Sequence, residues 1–150
     1  MVVDLMKGIN DLLKNSTDPS AVYLRQQLAW YGWSDTAPSF SDSQILRYPY
    51  LAYNLVTTGS ENYVMGDYEA VYQVIEIQFK IVTGTNAQPD RSPRRAGILA
   101  KNLKKLLRRG NFALDNGRVL DAVVMEDFPQ QSTDSDGYEW FIGIQFEIGT

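Results

Sequence analysis

The stretch YEAVYQVIEIQFKIVTG, Tyr68 to Gly84, limits the fold of this chain more than any other segment. It is rich in Val, Ile, Tyr and Phe, so it reads as a β-strand. It is also far longer than the usual strand of about five or six residues. Its two faces differ along its length. Val71, Ile75, Ile77, Phe79 and Ile81 share one face, interrupted only by Gln73. Tyr68, Ala70, Tyr72 and Val74 begin the other face, which then turns polar at Glu76, Gln78 and Lys80. Such a strand is expected to be covered on both sides at one end and on one side at the other.

The flanking segments supply what a strand of this kind packs against. Val2 to Lys14 carries Val2, Leu5, Met6, Ile9, Leu12 and Leu13 at helical spacing, with Gly8 as a mild weakness. Asp18-Pro19 is a cap residue followed by a first-turn proline. Val22, Leu24, Leu28 and Trp30 then predict a second helix ending near Tyr31-Gly32. Ser34 to Ser43 has the composition of a loop. YPYLAYNLVTTG, Tyr48 to Gly59, predicts a strand with Pro49 at its start. A further strand is expected from about Tyr63, running past a break at Gly66-Asp67 into the long one and making a hairpin with its predecessor.

Ser92-Pro93 opens a strong helix that closes at Gly110, with Ala96, Leu99, Leu103, Leu106 and Leu107 as its apolar stripe. RVLDAVVMEDF and YEWFIGIQFEI predict two strands joined by the loop FPQQSTDSDG. In the last strand Tyr138, Trp140, Ile142, Ile144, Phe146 and Ile148 fall on one face, the cleanest two-residue alternation in the chain. The order α-α-β-β-α-β-β, with strands in hairpins, predicts one α+β domain over residues 1–150, an antiparallel or mixed sheet packed against helices. A chain of 150 residues is long enough to bury a core without staples.

Composition removes most chemistry. The chain has no Cys, hence no disulfide framework and no thiolate metal site, and no His, the usual general base and zinc ligand. The acid-rich STDSDG places Ser132, Asp134 and Asp136 like the first ligands of a calcium loop. The bidentate Glu that such a loop needs is replaced by Gly143, so a solvated turn is expected. Glu126 and Asp127 are adjacent in a strand and point to opposite faces, which does not suit paired acid and base work. Neither nucleotide-binding glycine motif occurs, nor G-x-S-x-G. No catalytic role, cofactor or metal is expected. The opening MVVDLMKGIN has no basic leader and Asp4 interrupts its apolar run, so no signal peptide is expected. With no apolar run of about 18 residues, the expectation is a soluble protein of the cytoplasm that makes no use of a membrane.

Charge is the remaining signal. Eight of the fourteen basic residues lie between Arg91 and Arg109, and setting them aside from a net charge of −4 leaves −12 on the rest. On the helix, Arg94, Lys101, Lys105 and Arg108 oppose the apolar stripe, flanked by Arg95, Lys104 and Arg109. Arg94 and Arg95 in the first turn work against the helix dipole. Three readings stay open: a solvated face, a nucleic-acid patch, and an interface with a partner or another copy of the chain. Nine Tyr and three Trp, clustered in WYGW and YPYLAY, suit an interface as well as a core.

The order and character of these elements resemble the tail terminator (tail-completion, or neck terminator) proteins of tailed bacteriophages. The resemblance is carried by Tyr48-Pro49-Tyr50-Leu51-Ala52-Tyr53, YQVIEIQFKI, the helix ILAKNLKKLL, NFALDNGRVLDAVVMEDF and the closing GYEWFIGIQFEI. It spans most of the chain and rests on element order, not on an invariant motif. It implies a homo-hexameric ring of the virion, assembled in the host cytoplasm, that caps the tail tube, stops its growth and meets the neck or connector. DNA would pass through the lumen without specific binding. On that reading Arg94, Arg95, Lys101, Lys104, Lys105, Arg108, Arg109, Tyr68 and Tyr72 are candidates for subunit or partner contacts. Glu76, Gln78 and Lys80 are candidates for the lumen or another wet face. The competing expectations are a small nucleic-acid-binding protein using the basic helix at 93–109, or another head–tail connector or tube component.

Overall fold

The computed structural model describes residues 2–33, 49–57, 61–63, 70–83, 93–108, 112–115, 117–131 and 138–149. Within them the chain runs α1 (Val2–Asn15), α2 (Pro19–Gln27), β1 (Trp30–Trp33), β2 (Tyr50–Thr57), β3 (Glu61–Tyr63), β4 (Ala70–Thr83), α3 (Pro93–Arg108), β5 (Ala113–Leu114), β6 (Gly117–Gln131) and β7 (Tyr138–Gly149). The strands form one mixed sheet in the order β1-β2-β4-β7-β6-β5, and β3 pairs with β4 beyond the end of β2. This is an α+β fold with helices on one face of the sheet.

Period-two alternation decides which face that is. Ile75, Ile77, Phe79 and Ile81 of β4, with Ile142, Ile144, Phe146 and Ile148 of β7, are all buried under the helices. Register explains the match: Ile75 lies opposite Phe146, Ile77 opposite Ile144, and Phe79 opposite Ile142. Tyr53, Phe79 and Phe146 form an aromatic row across three strands, with successive ring centroids 5.6 and 6.5 Å apart. Helix α1 contributes Leu5, Met6, Ile9 and Leu13, and α3 contributes Ala96, Leu99, Ala100, Leu103, Leu106 and Leu107. Gly8 and Gly97 are helix glycines that sheet-side groups approach closely. A β-carbon on Gly8 would stand 2.6 Å from Leu114, and one on Gly97 would stand 3.1 Å from the Trp140 ring.

Helix α2 starts as its sequence predicts. The Asp18 carboxylate accepts from the Ser20 amide at 2.9 Å, and Pro19 follows as the first helical residue. It ends earlier than expected. Leu28 is extended, and Trp30-Tyr31-Gly32-Trp33 form β1, parallel to β2, instead of the last helical turn. Three aromatics around a glycine favour strand over helix, and tertiary pairing with β2 outweighs the 3.6-residue spacing of Leu24 and Leu28. The Arg25 guanidinium donates to the carbonyls of Leu13 (2.8 Å) and Ser16 (2.6 Å), satisfying the frayed end of α1.

Two other expectations are corrected. Glu61–Tyr63 is not the beginning of the long strand; it lies antiparallel to Ala70–Gln73. The break expected at Gly66-Asp67 lies outside the described residues. FPQQ belongs to β6, not to the loop after it, and Pro129 is accommodated because β6 offers an outer edge where no N–H is required. The STDSDG segment lies outside the described residues.

Candidate assembly surface

The helix-free face of the sheet is built from the residues that alternate with the core. Glu76, Gln78 and Lys80 of β4 stand there half-buried, beside Gln145 and Glu147 of β7. Trp30, Tyr50, Ala52 and Val82 make a small apolar cluster at one end of it. Lys80 Nζ lies 3.2 Å from Glu139 Oε1. The other Glu139 oxygen accepts from Gln130 Nε2 at 3.2 Å, so this carboxylate, only 2 % exposed, has partners on both oxygens. The three residues expected on a wet face therefore do share one side of the sheet, although Lys80 is committed to a partner within the chain.

The basic helix is divided by the structure. Arg94, Lys101, Lys105 and Arg108 are exposed, and Arg95 and Lys104 are half-buried. Lys104 reaches down to Asp127 of β6, whose other oxygen accepts from the Trp140 indole N–H at 2.5 Å. Partial desolvation raises the Asp127 carboxyl pKa, but the Lys104 and Trp140 hydrogen bonds and the charge of Arg108 outweigh it and hold the group below its ordinary value. Lys104 thus fastens α3 to the sheet. Asp127 shows the opposite-face rule at work: it faces α3, and Glu126 lies opposite Gly143 on the other side. Arg109 and Tyr68 lie outside the described residues. Tyr72 lies opposite Asn62 on one side and Gly149 on the other.

Sequence reasoning missed the most exposed apolar feature. Strand β5 pairs only with Gly117 and Arg118, and β7 takes the other side of β6. Among the described residues no strand covers the outer edge of β6 from Val119 onward. On β6 Leu120, Val123, Met125 and Phe128 are between 41 % and 56 % exposed, with Val123 opposite Gln145 and Phe128 stacked on Phe141 on the helix-free face. Register shifts between Val119 and Asp121 and between Val124 and Glu126 leave Leu120 and Met125 as the extra residues. A bulge re-aims side chains and breaks the alternation that a sequence pattern relies on. The signal was present as consecutive apolar pairs in RVLDAVVMEDF, which strict alternation does not produce.

Among the described residues no group of three or more His, Cys, Asp or Glu side chains could hold a metal ion. No described helix is long and apolar enough to cross a membrane.

No protein-family model and no curated protein matches this sequence. Among solved structures, a chain of the virion of a native gene transfer agent (GTA) particle superposes with a TM-score of 0.65 at 15 % identity. The chain shares that protein's fold. The match covers 99 % of this chain and 97 % of the other, nearly end to end on both sides.

Proposed function

We propose that this chain is a structural protein of a phage-type virion. In the finer reading it forms a ring of six copies that caps the tail tube, ends tube growth and joins the tail to the neck or connector. The observation that carries the proposal is the end-to-end fold match to a virion chain, at nearly equal length on both sides. The resemblance of its element order to tail terminators, drawn from sequence alone, points the same way. So does a surface in which exposed Arg94, Lys101, Lys105 and Arg108 stand against a remainder with a net charge of −8. The role needs no catalysis and no cofactor. The partners are other copies, the tube protein and the neck proteins, and the place of action is the virion, at the tail–neck region.

The test is mass in solution by light scattering behind a sizing column, at low and high salt, followed by imaging after mixing with tail tubes. A mass of six 17.0 kDa chains and rings on tube ends are the expected results. Rings on the head vertex or along the tube would transfer the reading to another connector or a tube component.

The exposed basic side of α3 favours a second reading, a small nucleic-acid-binding protein. It requires DNA affinity that falls steeply with salt for a monomer or dimer. The ring reading expects little DNA affinity at any salt.

A further inference from the structure

The two broad sides of the molecule carry opposite charge around exposed apolar groups. On the helix side, the outermost line of α3 is Arg94, Ile98, Lys101, Lys105 and Arg108, alternately four and three residues apart. That spacing keeps one stripe on one side of a helix. All five are exposed, so Ile98 is an apolar residue set among four cations. The helix contains no acidic residue.

The helix-free face of the sheet is the counterpart. Asp121, Val123, Glu126 and Phe128 of β6 all stand on it, because their partners in β7 are the residues that alternate with its core. Phe128 stacks on Phe141 with ring centroids 5.4 Å apart, yet Phe128 and Val123 remain 41 % and 46 % exposed. A β-carbon at Gly143 would stand 3.4 Å from Glu126 and 3.5 Å from the Glu76 carboxylate. The missing side chain leaves a dip bordered by two acids. Among the described residues the cations on this face are Lys80, held by Glu139, and Arg118, opposite Gly149 at the end of β7.

We infer that the helix-free face of one copy is covered by the outer side of α3 of a second copy. Each surface carries what the other lacks: a basic stripe around an isoleucine, and an acidic face around Val123 and Phe128. Their lengths agree. Arg94 to Arg108 runs about 21 Å along the helix. The β7 partners of Asp121 and Phe128, Glu147 and Phe141, lie about 20 Å apart along their strand. Two helix-free faces set together would oppose acids to acids, and two α3 stripes would oppose cations to cations, both unfavourable. The helix packs its apolar stripe on the other face of the sheet, so no chain can cover its own acidic face with its own α3. A contact between different patches is heterologous, and repeated it closes into a ring or runs on as a filament. The inference rests on the proposal of a ring of copies and gives that ring its interface.

The test is a charge swap. One variant carries Lys101→Glu with Lys105→Glu, the other Asp121→Lys with Glu126→Lys. All four side chains are exposed, and circular dichroism checks that each variant folds. Glu126→Lys alone replaces the second pair if that variant does not fold. Sedimentation equilibrium reads self-association, which in the native chain should be present at low salt and weaker at high salt. Each variant alone should associate at least about ten-fold more weakly, and an equimolar mixture should recover most of the loss, because acidic and basic surfaces then meet again. Loss in each variant without recovery in the mixture would overturn the contact and leave the ring. Six-membered rings that persist in either variant would do the same. A native chain that stays monomeric at low salt and millimolar concentration would also overturn the contact, while rings on tube ends would still stand as the test of the proposed function. Recovery as open chains longer than six would keep the contact and remove the closed ring.

Discussion

Strands β4 and β6 are nearly equal in length, 14 and 15 residues, and both pair with β7, yet they solve opposite problems. β4 is paired on both sides, by β7 on one and by β2 and β3 on the other, and keeps strict alternation from Ile75 to Ile81. All of its large apolar groups in that span are buried. β6 has β7 on one side and only two residues of β5 on the other, with two register shifts. Val119 is buried and Ala122 and Val124 pack against the core, but Leu120, Val123, Met125 and Phe128 are exposed. The difference teaches that apolar content in a strand does not by itself mark core. Alternation marks core, and broken alternation on an edge marks surface available to something else.

The largest test of that contrast is a pair of truncations. Ile77→Ala in β4 should cost about 2–5 kcal/mol, from lost burial and the cavity left behind. Met125→Ala in β6 should change the stability of the isolated chain by less than about 0.5 kcal/mol. Denaturant unfolding measures both. Equal losses would mean that β6 is part of the monomer core after all.

Next in size is Arg25→Ala, expected to cost about 1.5–3 kcal/mol because two carbonyls lose a charged donor. The same unfolding curves would show it, and an unchanged midpoint would mean that water replaces the guanidinium at no cost.

Asp127→Asn follows, at about 1 kcal/mol, since the pair with Lys104 is partly open to solvent. Its sign with pH is fixed by the lowered pKa. The native stabilisation is present above the ordinary value of 3.8 and is lost as pH falls through the lower folded value. The Asn variant should therefore lose less stability below about pH 4 than the native chain, as acid titrations followed by circular dichroism would show. Parallel acid curves would remove Asp127 from the account of how α3 is held.

The smallest effect on stability, and a decisive one on assembly, belongs to Lys101→Glu with Lys105→Glu. Both side chains are exposed, so folding should change by less than about 0.5 kcal/mol while the mass in solution drops. Lys104 is unsuitable for this purpose because its reversal would face Asp127 and loosen the helix. An unchanged mass would clear the basic face of any part in joining copies.

Much of this was legible from residue order. The alternation in YEWFIGIQFEI gave the buried face of β7, and the stripe of α3 needed only Ala100 added. Asp18-Pro19 placed the start of α2. What the sequence could not show are matters of pairing. WYGW became a parallel strand through contacts with β2, distant in sequence. The bulges in β6 depend on its register with β7. Lys104 looks like any other lysine of the basic face until Asp127 is brought beneath it by the fold. Glu76, Gln78 and Lys80 were grouped correctly by a period of two, but the commitment of Lys80 to Glu139 required the neighbouring strand.

The most direct measurement of the central claim is an electron cryo-microscopy map of the intact particle that carries this chain, taken at the junction of tail and neck. The account predicts six copies of this fold in a closed ring at the end of the tube. A junction built without this fold, or the fold found only elsewhere in the particle, would contradict it.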